Sequence, residues 1–379
     1  MSERNIRLCI EQCFLMAAGC LLPFAGPALC ADSLSPSVVA SFPKNISELA
    51  YSDFAHARQY PWFAQFKQQT LPTGFNGLEH FLSSAGVNPA KQIDEIAWAL
   101  MAEDDPADAV KNAPQSSQQN EPASGATNTA ARNAAAKDGT STNGEAGEPT
   151  LIHHKLPEAD DLLAVALGNF DPDATEAILE KNKVPSIELN GYTLYACGSF
   201  CHDFYFVFLD SSTLAFGKPV LLEHLLEVRS GAEESVLSNQ VLFPLIHRVN
   251  HGALFWGVLN DAGTAQALHQ LIPEAANFPD VSPLISKMRS MTIRVEGDDE
   301  LNAEFEVSAA GRDAVSLSQL MQAGLLFRQF QASQDDPQFA KILQKVTIAP
   351  GGSGIQINFD ITSEQMAGLI QHNTFSPKN

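Results

Sequence analysis

The alternation of apolar and polar residues is clearest in the last third of the chain. Ile293, Val295, Phe305, Val307, Ile355, Ile357, Phe359 and Ile361 recur at every second position, and Arg294, Glu304, Glu306, Gln356, Asn358 and Asp360 fall between them. A period of two sends these sets to opposite faces of a sheet. One face is then buried and the other wet, which predicts antiparallel strands covered by helices on a single side. The same reading earlier in the chain predicts a strand at 47–54, a helix opening at Pro61 with Trp62, Phe63 and Phe66 inward, a helix at 77–84, and strands at 93–100 and 162–167. A helix follows, with Asp171 as its cap, Pro172 at its first position, and Asp173 and Glu176 complementing its dipole. Strands at 187–196 and 204–209 come next, then a helix at 218–229 stopped by Gly231.

Beyond a linking helix at 240–249 the order restarts. A strand at 253–259, helices at 264–271 and 283–288, and paired strands at 291–296 and 301–307 lead to a helix at 314–330. A shorter helix has Asp336 as cap and Pro337 at its first position, and a hairpin of 346–349 with 355–361 precedes a last helix opened by a Thr362/Gln365 capping box. Both halves read strand, two helices, two strands, helix, two strands, helix. The expectation is an α+β fold made by tandem duplication: two similar lobes, 32–235 and 236–379, each an antiparallel sheet with helices packed on one face.

Composition adds an interruption and a compartment. Residues 104–149 consist almost wholly of small and polar residues with scattered charge, too little apolar surface to offset the entropy of ordering. This predicts a disordered insertion between neighbouring strands, since lengthening a loop adds closure cost only logarithmically. At the start, Arg4 and Arg7 precede an apolar run from Phe14 to Ala25, and Ala28-Leu29-Cys30-Ala31 precedes Asp32-Ser33, the order of a secretory signal spanning 1–31. Ala17-Ala18-Gly19-Cys20 offers an alternative, a lipoprotein anchored through Cys20. The mature chain is expected in the periplasm or secreted, without a transmembrane segment. The net charge of -21 opposes binding to nucleic acid or to an anionic membrane surface.

One stretch resembles a known group. Residues Leu162 to Phe170, the helix to Lys183, Glu188-Leu189-Asn190-Gly191-Tyr192-Thr193-Leu194-Tyr195 and Leu214-Ala215-Phe216-Gly217 are similar to exported bacterial proteins of unknown function with tandem α+β repeats. The similarity spans roughly residues 35 to 275. It implies fold and export, and carries no catalytic signature.

Candidate chemistry centres on Cys197-Gly198-Ser199-Phe200-Cys201-His202. With the leader removed, Cys197 and Cys201 are the remaining cysteines, and across a hairpin turn in an oxidising compartment they are expected to form a disulfide. A redox pair, or a metal site of Cys197, Cys201 and His202 with the remote His153-His154 pair, is the alternative. His247 and His251 have the four-residue spacing of a helical metal pair, but Arg248 stands where zinc peptidases place their general base. Gly351-Gly352-Ser353-Gly354 reads as a hairpin turn and lacks the Lys-Ser/Thr of a phosphate loop. Ser41-Phe42-Pro43-Lys44 matches a Ser-x-x-Lys spacing without its partner motifs. No cofactor is expected. The function expected is that of an exported, non-catalytic binding or scaffolding protein of the cell envelope, its partner a protein or a small molecule. A hydrolase of unrecognised type and a redox or metal module at the cysteine hairpin are the alternatives.

Overall fold

Residues 33–70, 73–102, 162–198, 201, 203–271, 282–285, 287–297, 300–309, 311–335, 337–352 and 354–371 are described by a computed structural model. The expected leader at 1–31, the expected insertion at 104–149 and the His153-His154 pair lie outside them. The first half begins with α1 (Pro36–Val39), β1 (Ile46–Asp53), α2 (Phe54–Ala57), α3 (Phe63–Thr70), α4 (Thr73–Ser84), α5 (Pro89–Gln92) and β2 (Ile93–Met101). It continues with β3 (Leu162–Gly168), α6 (Pro172–Lys181), β4 (Ser186–Leu189), β5 (Tyr192–Ala196), β6 (Tyr205–Asp210), β7 (Thr213–Gly217) and α7 (Pro219–Ser230). The second half is α8 (Leu242–Val249), β8 (Phe255–Leu259), α9 (Asp261–Leu271), α10 (Ser282–Ile285), β9 (Ser290–Gly297), β10 (Leu301–Ser308), α11 (Gly311–Asp335), α12 (Pro337–Lys345), β11 (Thr347–Pro350), β12 (Gly354–Ile361) and α13 (Ser363–Gln371).

All these strands belong to one antiparallel sheet of twelve, ordered β11-β12-β10-β9-β8-β1-β2-β3-β7-β6-β5-β4. Counting outward from the β1–β8 seam, the two halves repeat one strand order. One side runs first, second, third, last and penultimate strand of its half (β1, β2, β3, β7, β6), and the other runs the same way (β8, β9, β10, β12, β11). At the seam Leu49 faces Val258, Ala50 faces Gly257 and Tyr51 faces Trp256. The halves are thus joined by a backbone ladder. The first half adds the hairpin β4–β5 at its outer edge.

Alternation along the central strands divides the apolar residues between two cores. Ala50, Trp98, Ala164, Phe206, Phe216 and Ile293 face one core, closed by α2, α4, α6 and α9–α13. Leu49, Tyr51, Ala97, Val165, Trp256 and Val258 face the other, closed by α1, α7 and α8. The outer strands of the second half keep the expected wet face, where Glu306 reaches Arg248 at 2.9 Å and Asn302 donates to Asp360 at 2.9 Å. The central strands carry a second helical layer there. Asn250 ties that layer to the start of the described chain, donating to the Leu34 carbonyl and accepting from its N–H, both at 2.8 Å.

Several expected caps are present. Asp171 accepts from the Ala174 N–H at 3.0 Å, and Thr362 and Gln365 exchange hydrogen bonds at 3.0 and 3.3 Å. The expected single strand at 187–196 is instead the hairpin β4–β5. Asn190 and Gly191 take positive φ (50° and 83°), the backbone of a tight primed turn that Asn-Gly favours. Strands β2 and β3, which flank the 104–149 insertion, pair directly with Leu100 opposite Leu162.

Candidate functional site

Helix α11 is apolar on two sides. Between Asp313 and Asp335 its one charged residue is Arg328. That residue points inward, only 6 % exposed, with its guanidinium over the Phe339 ring at 5.9 Å and one N–H donated to Gln331 at 3.2 Å. Ala314, Leu317, Ser318 and Ala332 share this inner side and are buried, with α12 and β12 beneath. At about 100° per residue, Val315, Leu320, Ala323, Leu326, Phe327 and Phe330 fall within an arc of roughly 140° on the opposite side. All six are exposed, Leu326 at 65 %, Phe327 at 54 % and Phe330 at 64 %. Single exposed apolar residues are ordinary, but a contiguous patch of large ones marks an interaction surface.

A second unusual group lies on the sheet. Glu48 shares with Ala50 one face of β1, the strand next to the seam, and lies on the side of the core to which Ala50 and Trp98 belong. It accepts a hydrogen bond from the Trp98 indole, yet its carboxyl is pushed up to about 7, because burial disfavours the charged form more than that one donor favours it. The side chain keeps some solvent contact although protein surrounds it densely. Trp98 can neither give nor take a proton near neutral pH, so the pair holds an acid in place without forming an acid–base relay.

The structure brings Cys197 and Cys201 together as buried thiols; the expected disulfide is not formed. The β5–β6 connection folds back on itself, with the Cys197 N–H donating to Phe204 O at 3.0 Å and the Phe204 N–H to Cys201 O at 3.2 Å. The Cys197 S–H donates a hydrogen bond to the Cys201 sulfur, which raises the Cys197 thiol and lowers that of Cys201. Residue His202 lies outside the described residues. His247 and His251 are not on one helix, since α8 ends at Val249, and both are exposed. Ser41 donates to the Val38 carbonyl at 2.7 Å while Lys44 pairs with Glu234 at 2.8 Å, so the Ser-x-x-Lys spacing builds no nucleophile. Gly351 and Gly354 close the β11–β12 hairpin, the former's N–H donating to the latter's carbonyl at 2.7 Å.

Among the described residues, His224, Glu227 and Glu233 could hold a cation, with one ligand atom from each lying within 4.8 Å of the others. Sequence reading missed them because Glu233 joins the other two only after Gly231 turns the chain in the left-handed conformation (φ 78°). His224 Nδ1 already meets a Glu233 oxygen at 2.8 Å. No described helix is long and apolar enough to cross a membrane.

No family model and no curated protein matches the chain, in keeping with the resemblance to proteins of unassigned function. Among solved structures, it is similar to three crystal forms of TP0453. Form I aligns at TM-score 0.44 and 10 % identity over 91 % of this chain and 99 % of that one. Form III gives 0.45 and 10 % over 90 % and 99 %, and form IV gives 0.38 and 9 % over 88 % and 95 %.

Proposed function

We propose that this chain is an exported, non-catalytic binding or scaffolding protein of the cell envelope, and that it docks its partner on the outer face of α11. The exposed patch formed by Leu320, Leu326, Phe327 and Phe330 on a helix otherwise seated in the core supports this reading. An apolar surface of this kind is costly in water and loses that cost when a partner covers it. In an exported chain, the adjacent Cys197 and Cys201 thiols would oxidise to a disulfide that staples the β5–β6 turn.

The docking face is tested with the double substitution Phe327→Glu and Phe330→Glu. Both side chains lie outside the core, so in dilute protein, where no partner adds to stability, the variant should keep the parent's melting temperature while losing binding of an apolar dye. At that dilution, a melting temperature several degrees lower would mean that the two rings pack within the chain, and the proposal would fail. Turnover of ester, peptide or glycoside substrates that a single substitution abolishes would replace it with the hydrolase reading.

A further inference from the structure

We infer that the occupant of the outer face of α11 is the same face of a second copy of this chain, packed antiparallel about a twofold axis at Ala323; this rests on reading that face as a docking surface. The first argument is self-complementarity of shape. Helix α11 runs Gly311–Asp335, so Ala323 is its midpoint and also lies near the centre of the exposed arc. A small residue at the crossing lets two helix axes approach closely. Turning the helix end for end about Ala323 sets Leu320 beside Leu326 of the second copy, Phe327 beside its Gln319 and Phe330 beside its Ser316. Each large ring thereby meets a smaller exposed side chain.

The second argument is charge. From Ala314 to Gln334 the outer side of the helix carries no charged residue, so covering it forces no like charges together. Antiparallel packing also sets the positive N-terminal end of each helix dipole beside the negative C-terminal end of the other, whereas parallel packing would align like ends. The third is area. The exposed parts of Val315, Leu320, Leu326, Phe327 and Phe330 amount to roughly 500 Å² per copy, or about 1,000 Å² for a symmetric pair, the lower bound of a specific interface. A lipid surface suits the face less well, because amphipathic helices that bind anionic bilayers carry Lys and Arg around their apolar side, and this chain has a net charge of -21. A twofold pair also closes on itself, because each copy uses the same face.

The test combines sedimentation equilibrium of the purified full chain, from about 1 to about 100 µM, with two variants that each add one cysteine to a chain whose own six cysteines are replaced by alanine. The expected result is a monomer–dimer equilibrium whose dissociation constant rises at least about tenfold with Phe327→Glu/Phe330→Glu. Ala323→Cys should give a covalent dimer on mild oxidation. Ser333→Cys should not, because ten residues from the axis it stands about 30 Å from its counterpart. Equal cross-linking at both positions would indicate parallel or non-specific association and overturn the inference. A chain monomeric throughout would overturn it too, and the double variant then separates two failures. Lost dye binding at an unchanged melting temperature leaves the docking face standing with another occupant, as would retention on neutral-lipid vesicles that the variant abolishes. A lowered melting temperature removes the docking face as well.

Discussion

The Glu48 carboxyl sits where a charge is least welcome, on a strand beside the seam of the sheet, and its pKa of about 7 expresses that cost. An acid whose native pKa lies above its unfolded value of 4.5 binds its proton more tightly when folded. The stability it contributes is therefore full below the unfolded value and is lost as pH rises through the native one. Between about pH 5 and about pH 8 the parent should lose on the order of 2 kcal/mol relative to Glu48→Gln, measured as the difference in urea midpoints. A difference that does not change with pH would refute the assignment. None of this was legible in the sequence, because Trp98 meets Glu48 only through the β1–β2 register. The cysteines were legible as neighbours, since their spacing suits a hairpin turn. What the sequence could not show is their inequality. Cys201, lowered by the hydrogen bond that Cys197 donates, should alkylate first in the reduced chain, and peptide mapping after limited labelling would reveal it. Primary labelling at Cys197 would contradict this arrangement.

At the scale of elements, reading was most successful where a local signal has a single meaning. The Asp171-Pro172 start and the Thr362/Gln365 box open helices because each satisfies backbone N–H groups that the first turn leaves bare. The turn at Asn190-Gly191 carried an equally local signal, and the apolar run on either side obscured it. Helix α11 was visible as a helix, but its exposed face was not: a helix apolar on two sides gives no direction from periodicity alone. The structure decides the direction by placing α12 and β12 under Leu317 and Ala332. Gly324 lies in the middle of this helix, and a Cβ added there would meet nothing within 4 Å. Gly324→Ala should accordingly stabilise the monomer by about 0.5–1 kcal/mol, because it removes unfolded-state freedom without a clash. Chemical denaturation checks this, and a loss of stability would indicate a contact that the helix does not otherwise show.

For the whole molecule, the repeated order of elements was readable, and the continuity of the sheet that joins the two expected lobes was not. Two lobes of this kind can pack, hinge or share a ladder, and β1 pairing with β8 depends on contacts some two hundred residues apart. Because that ladder joins the halves, and the buried Trp62 indole also donates to Ser363 of the last helix at 3.2 Å, the fold should unfold as one unit. Far-ultraviolet circular dichroism and tryptophan fluorescence, which samples Trp62 and Trp98 in one half and Trp256 in the other, should report a single coincident transition. Two resolved transitions would mean that the halves are independent. The central claim, that the fold leaves the outer face of α11 uncovered for a partner, is tested most directly by thiol labelling of Phe330→Cys against Leu317→Cys on dilute protein. The account predicts that position 330 reacts at nearly the rate of a free thiol and is protected as the concentration is raised, while position 317 stays protected throughout. Protection of position 330 even at the greatest dilution would contradict it, because the face would then be covered by the chain itself.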